Sequence, residues 1–205
     1  MRRVAIVLSI VALAALVGRA FPAGGGSGVN EEGFITVWLL LAPIPLDANQ
    51  SGAEALGKQQ IKDEALLQPK AGDKVKIGGK DLAWKEYKAR EHFFDFNDFL
   101  GAQTEDCVGY AVCYIHAPGE LKSVKLHIGS DDQAVVYLNG KQVIKNDMAR
   151  ALDKDQDTTD VTLKKGVNVL VFKVVNEKID WSGCARFTDK DGKAIKDLRV
   201  TTTPK

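Results

Sequence analysis

Residues 121–145 read LKSVKLHIGSDDQAVVYLNGKQVIK, and this stretch decides the fold because its apolar side chains recur at every second residue. Val124, Leu126 and Ile128 share one face with polar residues between them, which is the pattern of a half-buried strand. Further on, Asn139-Gly140 separates two alternating segments and suits a tight type I′ hairpin, since both central residues need a positive φ. The stretch predicts consecutive antiparallel strands.

The same period of two extends outward in both directions. Residues 34–42 (FITVWLLLA) are apolar on both faces, and Pro43-Ile44-Pro45 is expected to end that strand because proline donates no ladder hydrogen bond. A hairpin turn at residues 77–80 and further strands near 159–163, 167–175 and 194–203 follow. The pattern predicts an all-β sandwich of two antiparallel sheets, with one short helix at about residues 51–68.

The first twenty residues form a separate unit. A basic start, an apolar run of 14 residues from Val4 to Val17 and small residues after it are typical of a secretory signal peptide. The alternative is a membrane anchor, but a spanning helix needs about 20 apolar residues. We therefore expect cleavage near residue 20, export to the periplasm, cell envelope or medium, a flexible Gly-rich lead-in at 21–33 and a single domain at 34–203.

The charge balance limits the partners. The chain carries 28 Lys and Arg against 27 Asp and Glu, and removal of residues 1–20 takes away three arginines and leaves a net charge of −2. Such a balance excludes a polybasic nucleic-acid binder. After cleavage, no stable membrane span is expected.

Three cysteines reach an oxidising compartment if the chain is exported. Cys107 and Cys113 would lie about 20 Å apart in one strand, too far for a disulfide. Cys184 is free to pair with either, and we favour Cys113 because both lie in apolar strands. Three buried free thiols are an equal alternative.

Several motifs carry a resemblance to a known class. Residues 38–44 (WLLLAPI), 126–132 (LHIGSDD), 136–141 (VYLNGK) and 163–170 (LKKGVNVL) follow one another in the order found in galactose-binding-like and PA14-like secreted bacterial modules. Trp181 with residues 184–192 is similar to the end of those modules, so the resemblance covers roughly residues 34–198. It implies a jelly-roll sandwich that serves as a binding module, usually attached to secreted glycosidases.

The resemblance also implies a metal site at Asp131 and Asp132. In PA14-like adhesins an adjacent aspartate pair holds calcium, which in turn ligates sugar hydroxyls, and Ca²⁺ prefers oxygen ligands of this kind. The alternative is a β-turn in which an aspartate bonds its own backbone. A second acidic run at residues 153–160 lacks the glycine and the final glutamate of an EF-hand, so it is expected to be a solvated loop, with a looser calcium site as the alternative.

Aromatic rings are candidate sugar platforms. Trp181 lies between polar and glycine residues and is expected on a loop, and Tyr87 and Tyr137 are further candidates. Packing at the edge of the sandwich is the alternative for Trp181. Trp38 and Trp84 occupy strand positions where core packing is expected.

Catalysis has little support. His92, His116 and His127 fall on separate segments, and no HExxH, GxSxG or phosphate-loop motif is present. Glu91 with Asp95 and Asp98 would be the carboxylates of a small glycan hydrolase, yet the phenylalanines among them are better explained by a strand and turn. We expect a non-catalytic module that binds carbohydrate or a cell-envelope protein. A structural or assembly protein that docks through its sandwich surface is the alternative.

Overall fold

The computed structural model describes residues 28–205. The predicted signal peptide at residues 1–20 and most of the predicted lead-in lie outside the described residues. Within residues 28–205, none of the helices has the length and apolar character needed to cross a membrane.

Residues 28–205 form two antiparallel sheets that face each other and a separate two-stranded hairpin. The large sheet has the order β4-β1-β6-β11-β8-β9, with β13 also pairing with β6; the small sheet has the order β10-β7-β12-β5, and β2 pairs with β3. The strands are β1 Val37–Pro45, β2 Lys74–Ile77, β3 Lys80–Ala83, β4 Lys85–Lys88, β5 Phe94–Asp95, β6 Cys107–Ala117, β7 Leu121–Asp131, β8 Ala134–Leu138, β9 Lys141–Asn146, β10 Asp157–Leu163, β11 Gly166–Asn176, β12 Ser182–Thr188 and β13 Arg199–Thr201.

The two sheets enclose an apolar core. Alternate residues of the strands on each side point into it, as the period of two predicted. At its centre, the ring of Phe94 meets Trp38 and Phe172 edge to face, with centroid separations of 5.0 and 5.4 Å. The predicted all-β class and the two-layer sandwich are confirmed.

The large sheet is covered on its outer face as well. Residues 46–84 lie across that face, and their apolar side chains, including Leu56 and Trp84, form a second core with Val108 and Tyr110 of β6. We call residues 46–84 the cover segment. The large sheet is therefore buried on both sides, which explains why β6 and most of β11 are apolar at nearly every position.

β1 ends at Pro45, inside the predicted Pro43-Ile44-Pro45 stop, and so runs three residues beyond the predicted last residue, Ala42. Pairing with β6 shifts register between Leu41 and Ile44, and the Ala42–Pro43 peptide bond is cis. Because the ladder is interrupted at this point, the missing N–H of Pro43 removes no hydrogen bond.

The predicted helix at residues 51–68 is two shorter pieces: α1 at Gly52–Gly57 and a 3₁₀ turn at Glu64–Leu66. Ser51 and Glu54 form a capping box at the start of α1, and the chain becomes extended directly after Gly57 because glycine is a weak helix former. A second helix, α2 at Phe96–Leu100, stands where a strand and turn were expected.

The Cys113–Cys184 disulfide is not formed. Cys113 points into the core between the sheets, whereas Ala185 and Phe187 of β12 take the inward positions and leave Cys184 on the opposite face of the small sheet. Among residues 28–205 the three cysteines are buried free thiols.

Candidate functional site

Asp131 and Asp132 lie where β7 ends at the rim of the sandwich. Asp131 is paired with Ser182 of β12, and Asp132 donates its backbone N–H to the carbonyl of Val175 at 3.3 Å. The peptide bond between the two aspartates is cis. Two connections flank the pair, residues 147–156 between β9 and β10 and residues 177–181 between β11 and β12. We call the aspartate pair and these two connections the rim site.

Asp132 holds the rim site together. Its Oδ2 accepts the backbone N–H of Glu177 at 3.0 Å, and the N–H groups of Arg150 and Lys178 also point at this carboxylate. The side chain thus bonds two connections distant in sequence, not its own turn as the alternative interpretation required. Asp132 is almost fully buried, and burial raises its pKa against the opposing effect of these N–H groups.

Asp131 carries the unbalanced charge. It is partly buried and accepts a hydrogen bond from the backbone N–H of Leu152, but no Lys or Arg in residues 28–205 forms an ion pair with it. Burial and the charges of Asp132, Asp180 and Asp95 raise the pKa of Asp131 to about 6. A cation placed beside this carboxylate would relieve that repulsion.

The nearby guanidinium does not supply this cation. Arg150 forms an ion pair with Asp157 and donates to the side-chain oxygen of Ser130 at 3.1 Å. Ser130 in turn donates to the carbonyl of Asp132 at 2.9 Å. Arg150 therefore binds Ser130 and Asp157 next to the aspartate pair, and the carboxylate of Asp131 has no partner of opposite charge within residues 28–205.

The donor chemistry fits calcium. Asp131 and Asp132 supply hard carboxylate oxygens in a region of excess negative charge, which is what Ca²⁺ selects. Within residues 28–205, however, no three His, Cys, Asp or Glu side chains converge on one point. Because Ca²⁺ takes six to eight oxygens, most of the remainder would come from backbone carbonyls, water or the ligand itself.

Trp181 is not a sugar platform. Its ring is fully buried and stacks on Phe96 with a centroid separation of 4.2 Å, and its Nε1–H donates to Oδ1 of Asn97 at 3.0 Å. The loop expectation failed because α2, which the sequence did not reveal, covers the indole. Trp181 is part of the core between the sheets.

Tyr87 and Tyr137 are held by hydrogen bonds at separate places. The hydroxyl of Tyr87 donates to Asp98 at 2.9 Å and its ring meets Phe99 edge to face. The hydroxyl of Tyr137 donates to Glu64 at 3.0 Å, under the cover segment. In both cases burial and the neighbouring carboxylate raise the phenol pKa. The three predicted aromatic residues do not form one binding surface.

The other acidic candidates are already occupied. In the run at residues 153–160, Asp155 binds Arg186 through both carboxylate oxygens and Asp157 binds Arg150, so the looser calcium site predicted there is not present. Asp95 caps α2, and Asp98 receives the tyrosine hydroxyl described above. Glu91 is exposed and the imagined hydrolase pair is not assembled.

Sequence reasoning missed a buried polar cluster under the cover segment. Lys173 on β11 has no exposed surface, and its ammonium donates to Glu64 and to the backbone carbonyls of Leu56 and Lys58 at 3.1 and 2.6 Å. The hydroxyl of Tyr110 also donates to Glu64. The available signal was a lysine inside the apolar run 169–175 (VLVFKVV). No solvent reaches this cluster, so it anchors the cover segment and is not a ligand site.

Comparison with known proteins finds similar chains among solved structures. No protein-family model matches the chain, and no curated protein matches it. Among solved structures, a PA14 domain of the antifreeze protein MpAFP is 12% identical over 83% of this chain and 94% of its own, with a TM-score of 0.49. A PA14 sugar-binding domain from an RTX adhesin is 10% identical over 78% and 94%, with a TM-score of 0.38.

A third similar structure is the GH31 alpha-xylosidase from Xanthomonas citri, which is 12% identical over 80% of this chain, with a TM-score of 0.36. This chain spans only 16% of that enzyme. The first two of these structures are PA14 domains.

Proposed function

We propose that this protein is a non-catalytic module, folded from residues 34–203, that binds carbohydrate through a calcium ion at the rim site. The observation that supports this proposal is the state of Asp131: a partly buried carboxylate faces three other acids and has no cationic partner within residues 28–205. Folding concentrates negative charge here without neutralising it. Structures tolerate such charge where a ligand completes the site.

The two aspartates of the rim site have different roles. Asp132 is fixed by the N–H groups of Arg150, Glu177 and Lys178, so it sets the geometry of both connections. Asp131 has fewer bonds and holds the charge that attracts the cation. Calcium supplies open coordination positions, and a pair of adjacent sugar hydroxyls would fill two of them.

The rim also offers apolar surface for a sugar ring. Met148 and Ile179 lie on the two connections that Asp132 joins, and their side chains are 68% and 60% exposed. Exposed large aliphatic side chains beside a polar site suit a ligand that has both hydroxyl groups and C–H faces. They take the place of the aromatic platform that the sequence predicted.

Calcium binding is tested first, by thermal unfolding at pH 7.5 with 2 mM calcium or with EDTA. We expect calcium to raise the Tm of the unaltered protein, because a ligand that binds only the native state stabilises that state. The Tm of the Asp131→Asn variant should be the same with calcium and with EDTA. Asp81→Asn, on the exposed β2–β3 hairpin, removes the same charge elsewhere and should keep the full calcium response. An unchanged Tm in the unaltered protein contradicts the calcium site.

The pH dependence follows from the sign of the pKa shift. The pKa of Asp131 is raised to about 6 in the folded state, above the ordinary value of roughly 3.9. Protonated Asp131 therefore favours the fold below about pH 4, and this contribution is lost as the pH rises through 6. Calcium needs the ionised form, so its stabilising effect should be large at pH 7.5 and small at pH 5. Asp131→Asn removes this pH dependence of the calcium response.

Carbohydrate binding is tested on a glycan array with calcium and with EDTA. The proposal expects signals that calcium supports, that EDTA removes and that Asp131→Asn abolishes. If the protein binds calcium but no glycan, the calcium site is supported and the proposal of a carbohydrate ligand is contradicted. Signals that persist in EDTA would place glycan binding away from the rim site.

Export is proposed from the sequence of residues 1–20 alone. Its test is amino-terminal sequencing of the protein isolated from cells that express the full chain. We expect the mature protein to begin between residues 20 and 24, after the small residues that follow the apolar run. A protein that retains Met1 and sediments with membranes would instead be anchored.

A further inference from the structure

A concave surface lies on a part of the molecule away from the rim site. It is a groove of about 750 Å³ where the β8–β9 hairpin of the large sheet meets β7 and β10 of the small sheet. Its lining includes Lys125, Lys141, Lys164, Lys190, Leu138 and Val161, and we call it the lysine groove. It shares no lining residue with the rim site.

The lysine groove concentrates positive charge on a chain that is otherwise slightly acidic. Its lining contains four lysines and one acid, Asp160, which pairs with Lys125 at 3.2 Å. Lys190 pairs with Asp191 beside it. Lys141 and Lys164 form no ion pair with any residue in 28–205 and remain available to an external anion.

The total charge makes this concentration significant. Residues 28–205 carry 25 basic and 27 acidic side chains, so their net charge is −2. With Lys125 and Lys190 paired to aspartates, Lys141 and Lys164 leave a local excess of two positive charges, and a segregated positive patch attracts ligands of opposite sign.

The shape of the groove favours a chain-like ligand. A second cavity of about 440 Å³ adjoins it and shares Ser123 and Lys190 with it. This cavity adds Lys122 but also Asp189 and Asp197, so the excess of positive charge is confined to the lysine groove itself. Leu138 and Val161 contribute apolar side chains to the lining, and Ser123 and Thr162 contribute hydroxyl groups. Apolar, hydrogen-bonding and cationic groups in one groove match a polymer of sugar rings that carry acidic substituents.

We infer that the lysine groove binds an anionic polysaccharide, whose carboxylate or sulfate groups contact Lys141 and Lys164. This site needs no calcium, because its charge is opposite to that of its ligand. It is therefore independent of the rim site, and either site can fail without the other.

The test is affinity electrophoresis and calorimetry with polygalacturonate, dextran sulfate and neutral dextran, all in EDTA so that the rim site is silent. The double variant Lys141→Gln/Lys164→Gln is compared with Lys74→Gln/Lys80→Gln, which removes the same charge from the exposed β2–β3 hairpin. Two lost surface ion pairs should weaken binding roughly five- to tenfold. The control pair should bind like the unaltered protein.

Three results decide the outcome. Binding to polygalacturonate or dextran sulfate that falls with salt, and that weakens by the expected factor in the groove variant alone, supports the inference. Equal loss in both double variants shows attraction to net charge and overturns it. Polyglutamate that binds as tightly as the anionic polysaccharides also overturns it, because the groove would then select acidic polymers without regard to the sugar.

Discussion

The two faces of the large sheet are covered in different ways. On the inner face, Leu170 and Phe172 of β11 lie in the apolar core between the two sheets. On the outer face of the same strand, Lys173 is covered by residues 46–84. Its ammonium donates hydrogen bonds to Glu64 and to two backbone carbonyls. The same strand thus makes apolar contacts, which have no preferred direction, on one side. On the other side it also makes hydrogen bonds and an ion pair, which require a particular geometry.

The difference shows what each face contributes. Apolar burial stabilises the sandwich by roughly 25 cal/mol per Å² but tolerates sliding of one layer over another. An ammonium with three acceptors fixes one arrangement, because every shift of the cover segment leaves a buried charge unpaired. The inner face therefore depends on apolar burial, whereas the outer face adds to its own apolar core a charged cluster that fixes the position of the cover segment.

Breaking the outer cluster should have the largest effect. Lys173→Met leaves Glu64 charged and 2% exposed, and loss of one partner of a buried ion pair costs about 3–5 kcal/mol. Lys173→Met with Glu64→Gln removes both charges and should cost much less than the sum of the single changes. Urea unfolding of all three variants measures this coupling; additive costs would show that the pair is not coupled.

An inner-face cavity should rank second. Leu170 is fully buried in the core between the sheets, and Leu170→Ala should lower the free energy of unfolding by about 3 kcal/mol. Leu56→Ala on α1 removes the same atoms under the cover segment. We expect a smaller cost there, since a short covering helix can settle into the space. A larger loss for Leu56 than for Leu170 in denaturant unfolding would reverse our ranking of the two faces.

The hydroxyl of Tyr137 provides a finer probe of the outer cluster. Tyr137→Phe removes one hydrogen bond to Glu64 and should cost about 1.5 kcal/mol, because bonds to charged groups are the stronger ones. Tyr87→Phe removes an equivalent bond to the more exposed Asp98 and should cost less. Neither change should alter glycan binding if the rim site is the ligand site. Thermal unfolding and the glycan array together check both statements.

The smallest expected effect concerns the start of the cover segment. Ser51→Ala removes the capping box of α1 and should cost about 1 kcal/mol. Because α1 lies in the cover segment, hydrogen exchange should accelerate in residues 52–57 before it does in β6 or β11. Uniform acceleration across the protein would mean that the cover segment does not open separately.

The sequence predicted the inner face well and the outer face poorly. Alternation locates Val124, Leu126 and Ile128 correctly because a strand covered on one side repeats every second residue. Burial on both sides makes β6 and most of β11 apolar at nearly every position, so the sequence did not show that residues 46–84 cover the outer face. Lys173 was the one exception to the apolar run, yet its acceptors lie more than 100 residues away in sequence.

The candidate site was predicted in part. The order of short motifs pointed to Asp131 and Asp132, and the structure places them together at the rim with unbalanced charge. The burial of Trp181 was not predictable, because α2 is only five residues long and its phenylalanines also suit a strand. Local patterns locate turns and aspartates, whereas the exposure of a single aromatic ring depends on what packs over it.

The three buried free thiols can report on local opening of the protein, because each one reacts only when its surroundings open. Burial raises the pKa of Cys107 to about 11 and that of Cys184 to about 12, and it also raises the pKa of the Cys113 thiol well above its ordinary value. None of the three thiols therefore reacts while its surroundings stay closed. Cys113 becomes reachable only when the sheets part, whereas Cys184 needs only the chain at Asp153 to lift away. Alkylation rates at the two positions would time these separate openings in one unlabelled sample.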